Sequence, residues 1–169
     1  MAIYYGDGSN SGAGRIVQVV TKKITGSATF NNAGSYDNIS GYNLAITPKS
    51  TSHKILVMFN INAGSNNNGN RILFRVSRTG NDNDFVGDAS SNRVSATAQM
   101  AVSNPQDQRA NHITYLSSPS STSAVTYQLQ AKLQVGGGSN IRLGGSGGNG
   151  DSSIEGRTPQ SIILMEIAD

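Results

Sequence analysis

The sequence predicts an all-β protein, an antiparallel β-sandwich or jelly roll of about ten strands. Three observations predict it. Many short segments alternate between apolar and polar residues, which is the period of a half-buried strand. Gly, Ser and Asn supply 61 of the 169 residues and favour turns. Glu and Lys, which favour helices, number only 2 and 5.

The length fits a single domain, which we divide into an N-terminal arm, residues 1–14, and a sandwich domain, residues 15–169. Leu, Ile, Val and Phe total 36 residues, so the core is thin for this length. We therefore expect additional stabilisation from partner chains, as a homo-oligomer, with a trimer as one form.

The first strands are predicted from their residue types. Residues 15–24 are rich in β-branched side chains. Residues 41–47 alternate and stop at Pro48. Residues 54–62 are apolar at both odd and even positions, which predicts burial from both sides.

An Asn-rich turn at residues 66–70 introduces the next strand, residues 70–78. The last strand is apolar on both faces, so it is either a central strand or one covered by a neighbouring subunit. The glycine-rich runs 136–138 and 144–150 are predicted to be hairpin tips. The other predicted strands are residues 84–87, 93–101, 111–117, 125–134, 140–143 and 160–168.

Composition argues against several functional classes. The 13 basic and 10 acidic residues are dispersed, so nucleic-acid binding is not expected. No run of apolar residues is long enough to span a bilayer, so no membrane insertion is expected. Cysteine is absent, and neither His53 nor His112 stands in a catalytic motif. We expect a protein that is not an enzyme and has no cofactor.

The acidic run from Asn81 to Asp88 offers oxygen ligands at alternating positions. A calcium loop that starts at Asp82 would need a bidentate Glu at its twelfth position, where the chain has Arg93. The run is therefore interpreted as a turn, with no metal site.

Binding candidates come from the arm and from the loops. Tyr4 and Tyr5 are adjacent aromatic residues in a polar segment and, with Ile3, are expected to anchor the arm on a partner. Loops at the ends of a rigid sandwich often carry recognition. The candidate recognition residues in the loops are Asn67, Asn68, Asp82, Asp84 and Arg93.

Four segments carry a resemblance to a known family. They are RIVQVV (residues 15–20), ITPKSTSHKILV (46–57), LSSPSSTSAVTY (116–127) and GRTPQSIILMEI (156–167). These segments resemble virion structural proteins of marine tailed phages, especially cyanophages, and the similarity spans most of residues 15–169.

The resemblance implies a tail-fibre or other virion-surface protein, assembled in the host cytoplasm with other virion proteins. Members of this family often carry a longer N-terminal segment that could build a fibre shaft, whereas about 14 residues precede the first strand here. We therefore expect a capsid decoration or knob protein that contacts the major capsid protein. The alternative is a tail-fibre or tail-tip module that contacts tail components and recognises a host-surface glycan.

Overall fold

The computed structural model describes residues 14–134, 140–148, 153 and 155–169. This part of the chain contains eleven strands and no helix, which confirms the all-β prediction. The strands are β1 (Ile16–Ile24), β2 (Ala28–Phe30), β3 (Asp37–Ile46), β4 (Lys54–Ser65), β5 (Asn70–Arg78), β6 (Asn81–Phe85), β7 (Ala98–Val102), β8 (Arg109–Ser117), β9 (Val125–Leu133), β10 (Ile141–Leu143) and β11 (Gln160–Ile167).

The strands form two antiparallel sheets that pack against each other as a sandwich. One sheet has the order β1-β11-β4-β10-β2, with β8 on the other edge of β4. Because it holds both terminal strands, we call it the terminal sheet. The second sheet has the order β3-β9-β5-β6, and β7 also pairs with β5.

The strand pairs are nested along the chain. The first strand pairs with the last, β3 with β9, β4 with β8, and β5 with β7. A long antiparallel hairpin rolled into two sheets gives this nesting, and it is the strand order of a jelly roll. The predicted fold class is therefore confirmed.

The core lies between the sheets and is filled by the inward-facing residues of both. Phe59 on β4 and Phe74 on β5 are fully buried. In β9 the predicted alternation holds, since Tyr127 and Leu129 are buried while the side chain of Gln128 between them is partly exposed. Period-two patterning thus identified the core side of this strand.

The region between β5 and β8 differs from the prediction. The strand expected at residues 93–101 is Ala98–Val102, and the one expected at 84–87 is Asn81–Phe85. These two strands pair in succession with one edge of β5, and residues 86–97 leave that edge between them. Strand β2 was not predicted.

The glycine-rich loop after β10 is packed, so its prediction as a hairpin tip is wrong for the described residues 144–148. Gly144 to Gly147 are all buried. A Cβ atom on Gly147 would lie 1.9 Å from the carbonyl carbon of Ser65. Glycine is needed here because the loop backbone lies directly against the end of β4.

Strands β4 and β11 are interior strands of the terminal sheet, but only one of their faces contacts the core. Ile55 and Val57 are fully buried, whereas Leu56 and Met58 between them remain partly exposed. Burial of β4 from both sides, as predicted, does not occur among the residues that the structure describes. Within that part of the chain, the outer face of this sheet has no second layer over it.

Candidate interaction surfaces

The outer face of the terminal sheet carries an apolar row that crosses four strands. Val19 on β1 lies opposite Met165 on β11, Met165 lies opposite Leu56 on β4, and Leu56 lies opposite Leu116 on β8. Directly opposite residues on neighbouring strands have side chains in contact range on the same face. Val19 and Leu116, at the ends of the row, are 49% and 51% exposed. We call this surface the apolar face.

Apolar residues continue on both sides of this row. Ile163 on β11 lies opposite Met58 on β4. On the other side, Ile167 lies opposite Ile16, which is one of the most exposed large apolar residues. A contiguous exposed apolar patch of this kind marks an interaction site more often than scattered exposed apolar residues do.

Polar residues border the apolar face at one end. Lys23, Ser161, Asn60 and His112 form the next row across the same four strands. Asn60 Nδ2 donates to Ser161 Oγ at 3.1 Å, and its Oδ1 lies 2.9 Å from His112 Nδ1. An apolar centre with a polar, hydrogen-bonded border is the usual anatomy of a protein–protein interface.

The outer face of the second sheet is chemically different. Arg75 Nε donates to Gln130 Oε1 at 2.7 Å, and Arg75 Nη1 donates to Asn83 Oδ1 at 3.0 Å. The guanidinium carbon of Arg75 lies 4.5 Å from the ring centroid of Tyr36, and the Tyr36 hydroxyl donates to the Ser95 carbonyl at 2.8 Å. Burial raises the pKa of Tyr36, and the Arg75 charge opposes this rise. We call this surface the polar face.

A groove of about 400 Å³ adjoins the polar face, between residues 86–97 and the edge of the second sheet. Leu73 is an apolar residue of its lining and is almost fully buried, although it points away from the core. Polar lining residues include Arg93, Asp88, Gln99 and Gln134. These polar side chains can hydrogen-bond a small polar ligand such as a sugar.

The predicted recognition residues lie at separate places. Asn67 and Asn68 are exposed in the β4–β5 turn, and Asp82 is exposed on β6. Strand β5 runs between the β4–β5 turn and the start of β6, and its nine residues span about 26 Å at about 3.3 Å per residue. Arg93 lines the groove on the side of the sandwich. Residues Ile3, Tyr4 and Tyr5 lie outside the described residues.

The carboxylate of Asp84 holds strands together instead of facing a loop surface. It pairs with Arg78 Nε and accepts a 2.7 Å hydrogen bond from Ser117 Oγ, so it joins β5, β6 and β8. Only 6% of its side chain is exposed. The neighbouring Tyr115 has a raised pKa, first because it is buried and second because of Asp84. We therefore leave Asp84 out of the proposed recognition surface.

Sequence reasoning missed a second buried carboxylate. Glu166 is fully buried and accepts hydrogen bonds from Lys49 N at 2.6 Å and from Gln18 Nε2 at 2.6 Å. His53 Nδ1 lies 2.7 Å from Glu166 Oε1, with the His53 side chain 19% exposed. Burial raises the pKa of Glu166, but the hydrogen bonds from Lys49, His53 and Gln18 outweigh burial and lower it overall.

The inward position of Glu166 could have been read from the sequence, because it shares the parity of Ile162 and Leu164. Its partners could not, since they come from β1 and from the β3–β4 connection. The arrangement satisfies the carboxylate on both oxygens and closes one end of the sandwich.

Within residues 14–134, 140–148, 153 and 155–169, no group of three or more His, Cys, Asp or Glu side chains could hold a metal ion. The same residues include no helix that could cross a membrane. No protein-family model and no curated protein matches the chain.

Proposed function

We propose that the protein is a non-enzymatic structural component of a phage particle, displayed on the capsid surface as a decoration protein. The observation that carries the proposal is the apolar face, which the described residues leave partly exposed on one side of the jelly roll. The resemblance of four segments to phage virion proteins supports the same role. In this role the protein works by burying surface area, without a chemical step.

The arm is the proposed attachment to the shell. Gly14, the last residue of the arm, donates its N–H to the Ala168 carbonyl at 2.7 Å. The arm therefore joins the domain beside the end of β11, next to the edge strand β1 of the terminal sheet. Ile3, Tyr4 and Tyr5 supply aromatic and aliphatic area for the contact. A specific contact of this type buries about 1,000–2,000 Å² in total.

Deletion of residues 1–14 tests the attachment. The shortened chain is expected to keep its melting temperature within a few degrees and to be missing from purified particles, as measured by mass spectrometry and immunogold labelling. A second variant, with Tyr4→Ser and Tyr5→Ser, keeps the length of the arm and should also reduce incorporation. Full incorporation of the deleted chain contradicts attachment through the arm.

The groove favours one second candidate, a tail-tip module that binds a host-surface glycan. Guanidinium and amide groups of Arg93, Gln99 and Gln134 can hydrogen-bond sugar hydroxyl or carboxylate groups. Arg93 is exposed and therefore accessible to such a ligand.

Binding of the isolated protein to host-surface polysaccharide separates the two candidates. For the glycan-binding module, Arg93→Ala is expected to weaken binding at least about tenfold, since a charge-assisted hydrogen bond is lost. Arg109→Ala, which removes another exposed arginine, on β8, should leave binding unchanged. Absence of binding by the unaltered protein, together with capsid labelling, excludes the tail-tip candidate.

A further inference from the structure

We infer that the apolar face is the interface between copies of this chain, so that the protein is a homo-oligomer joined through its terminal sheets. The inference rests on the proposed structural role and names the partner of that surface. It follows from three properties of the face: its size, its symmetry and its charge.

The face is large enough for a specific contact. Four strands span about 19 Å at the usual spacing of about 4.8 Å, and four successive outward positions along a strand span about 26 Å. The projected area of the whole outer face, its polar border included, is therefore about 500 Å² per copy and about 1,000 Å² for a pair, which is the minimum expected of a specific interface.

The face is also complementary to itself. A two-fold axis through the middle of the apolar row brings Val19 of one copy opposite Leu116 of the other, and Met165 opposite Leu56. Both contacts are apolar. Two sheets packed in this way resemble the two layers of a sandwich, about 10 Å apart.

Charge on the face also fits a second copy. The outward-facing positions of β1, β4, β8 and β11 include no Asp or Glu, and Lys23 and Lys54 lie at opposite ends of the strands. Pairing through the two-fold axis therefore buries no acidic group. It places Lys54 opposite Ile167 at one end and Lys23 opposite His112 at the other, while the central row of Val19, Met165, Leu56 and Leu116 meets no charge. A second copy of the chain presents a surface of the same area with no acidic group on it.

The test is the mass of the full chain in solution, measured by sedimentation velocity and light scattering from about 1 to 100 µM. The unaltered protein is expected to sediment as two 17.7 kDa chains. Leu116→Glu should weaken association about 100-fold or more, because each contact would bury an unpaired carboxylate. Val19→Lys, on the opposite edge of the face, should do the same.

The matched control is Val94→Glu. Val94 is 42% exposed, similar to Val19 and Leu116, but it lines the groove and lies away from the terminal sheet. This variant should keep the oligomer mass. Circular dichroism and thermal melting of each variant separate loss of association from loss of folding, and Val19→Lys serves if Leu116→Glu does not fold.

A monomeric unaltered protein at about 100 µM would overturn the inference, and so would an oligomer that survives both substitutions. Incorporation into particles tests the proposed structural role separately from self-association. A monomer that is nevertheless found on particles refutes self-association and keeps the structural role, whereas an oligomer that is absent from particles refutes the structural role alone.

Discussion

At the scale of single residues, two buried carboxylates shape the protein more than any exposed loop side chain. Asp84 joins three strands at one open edge, and Glu166 joins β1, β11 and the β3–β4 connection at one end. Buried carboxylates persist when each oxygen receives hydrogen bonds, because desolvation is then compensated. Glu166 lies on a strand whose neighbouring inward-facing residues, Ile162 and Leu164, are apolar.

Glu166 should make stability depend on pH. Its folded-state pKa lies below the ordinary value of 4.5, so the ionised carboxylate stabilises the folded chain above about pH 4.5. This contribution should be lost as pH falls through the lowered folded-state pKa. Urea unfolding between pH 7 and pH 3 is expected to show a decrease that Glu166→Gln diminishes, together with a loss of about 2 kcal/mol at pH 7.

The control for this measurement is Glu155→Gln, the same chemical change at a half-buried position in the loop before β11. It should leave the pH profile close to that of the unaltered protein. An unaltered pH profile in Glu166→Gln would contradict the assigned role of the carboxylate.

At the scale of strands, the gap between β6 and β7 shows how a side chain replaces a strand partner. Residues 86–97 leave the edge of β5, and Thr97 fills the gap: its N–H donates to the Phe74 carbonyl at 2.8 Å, and its Oγ1 accepts from Val76 N at 3.2 Å. The predicted strand began five residues too early because alternation continues into residues 93–97, which leave the edge of β5 and bond mainly within their own loop.

Thr97→Val should therefore destabilise the protein, although it preserves the shape of the side chain. The backbone N–H of fully buried Val76 would lose its acceptor, at a cost of about 1–2 kcal/mol. Equilibrium urea unfolding measures the change. Thr97→Ser keeps the hydroxyl and should recover most of the stability; equal losses in both variants would assign the effect to the methyl group.

At the scale of the whole molecule, nested pairing makes the fold a single unit with two unlike outer faces. Ile16, near the start, pairs with Ile167, near the end, so no part of the core can be completed by a local segment. The terminal sheet presents the apolar face, and the second sheet presents the polar face and the groove on the opposite side. Such a body can associate through one side while it displays the other.

Long-range pairing also governs folding. We expect a single cooperative unfolding transition and refolding in milliseconds to seconds, as in other sandwiches dominated by non-local contacts. Stopped-flow refolding by tyrosine fluorescence and far-ultraviolet circular dichroism measures this at a concentration where any oligomer is dissociated. Microsecond refolding, or separate transitions for the two sheets, would contradict the expectation.

The sequence by itself determined the all-β class, most strand positions and the inward set of strands such as β9, because alternation of side chains is a local, period-two property. It also indicated that residues 54–62 and 160–168 are apolar on both faces. Only the tertiary structure decided which strands are neighbours. The apolar row is built from Val19, Leu56, Leu116 and Met165, four residues far apart in sequence that strand pairing brings side by side. Pairing depends on long-range contacts that local patterning does not specify.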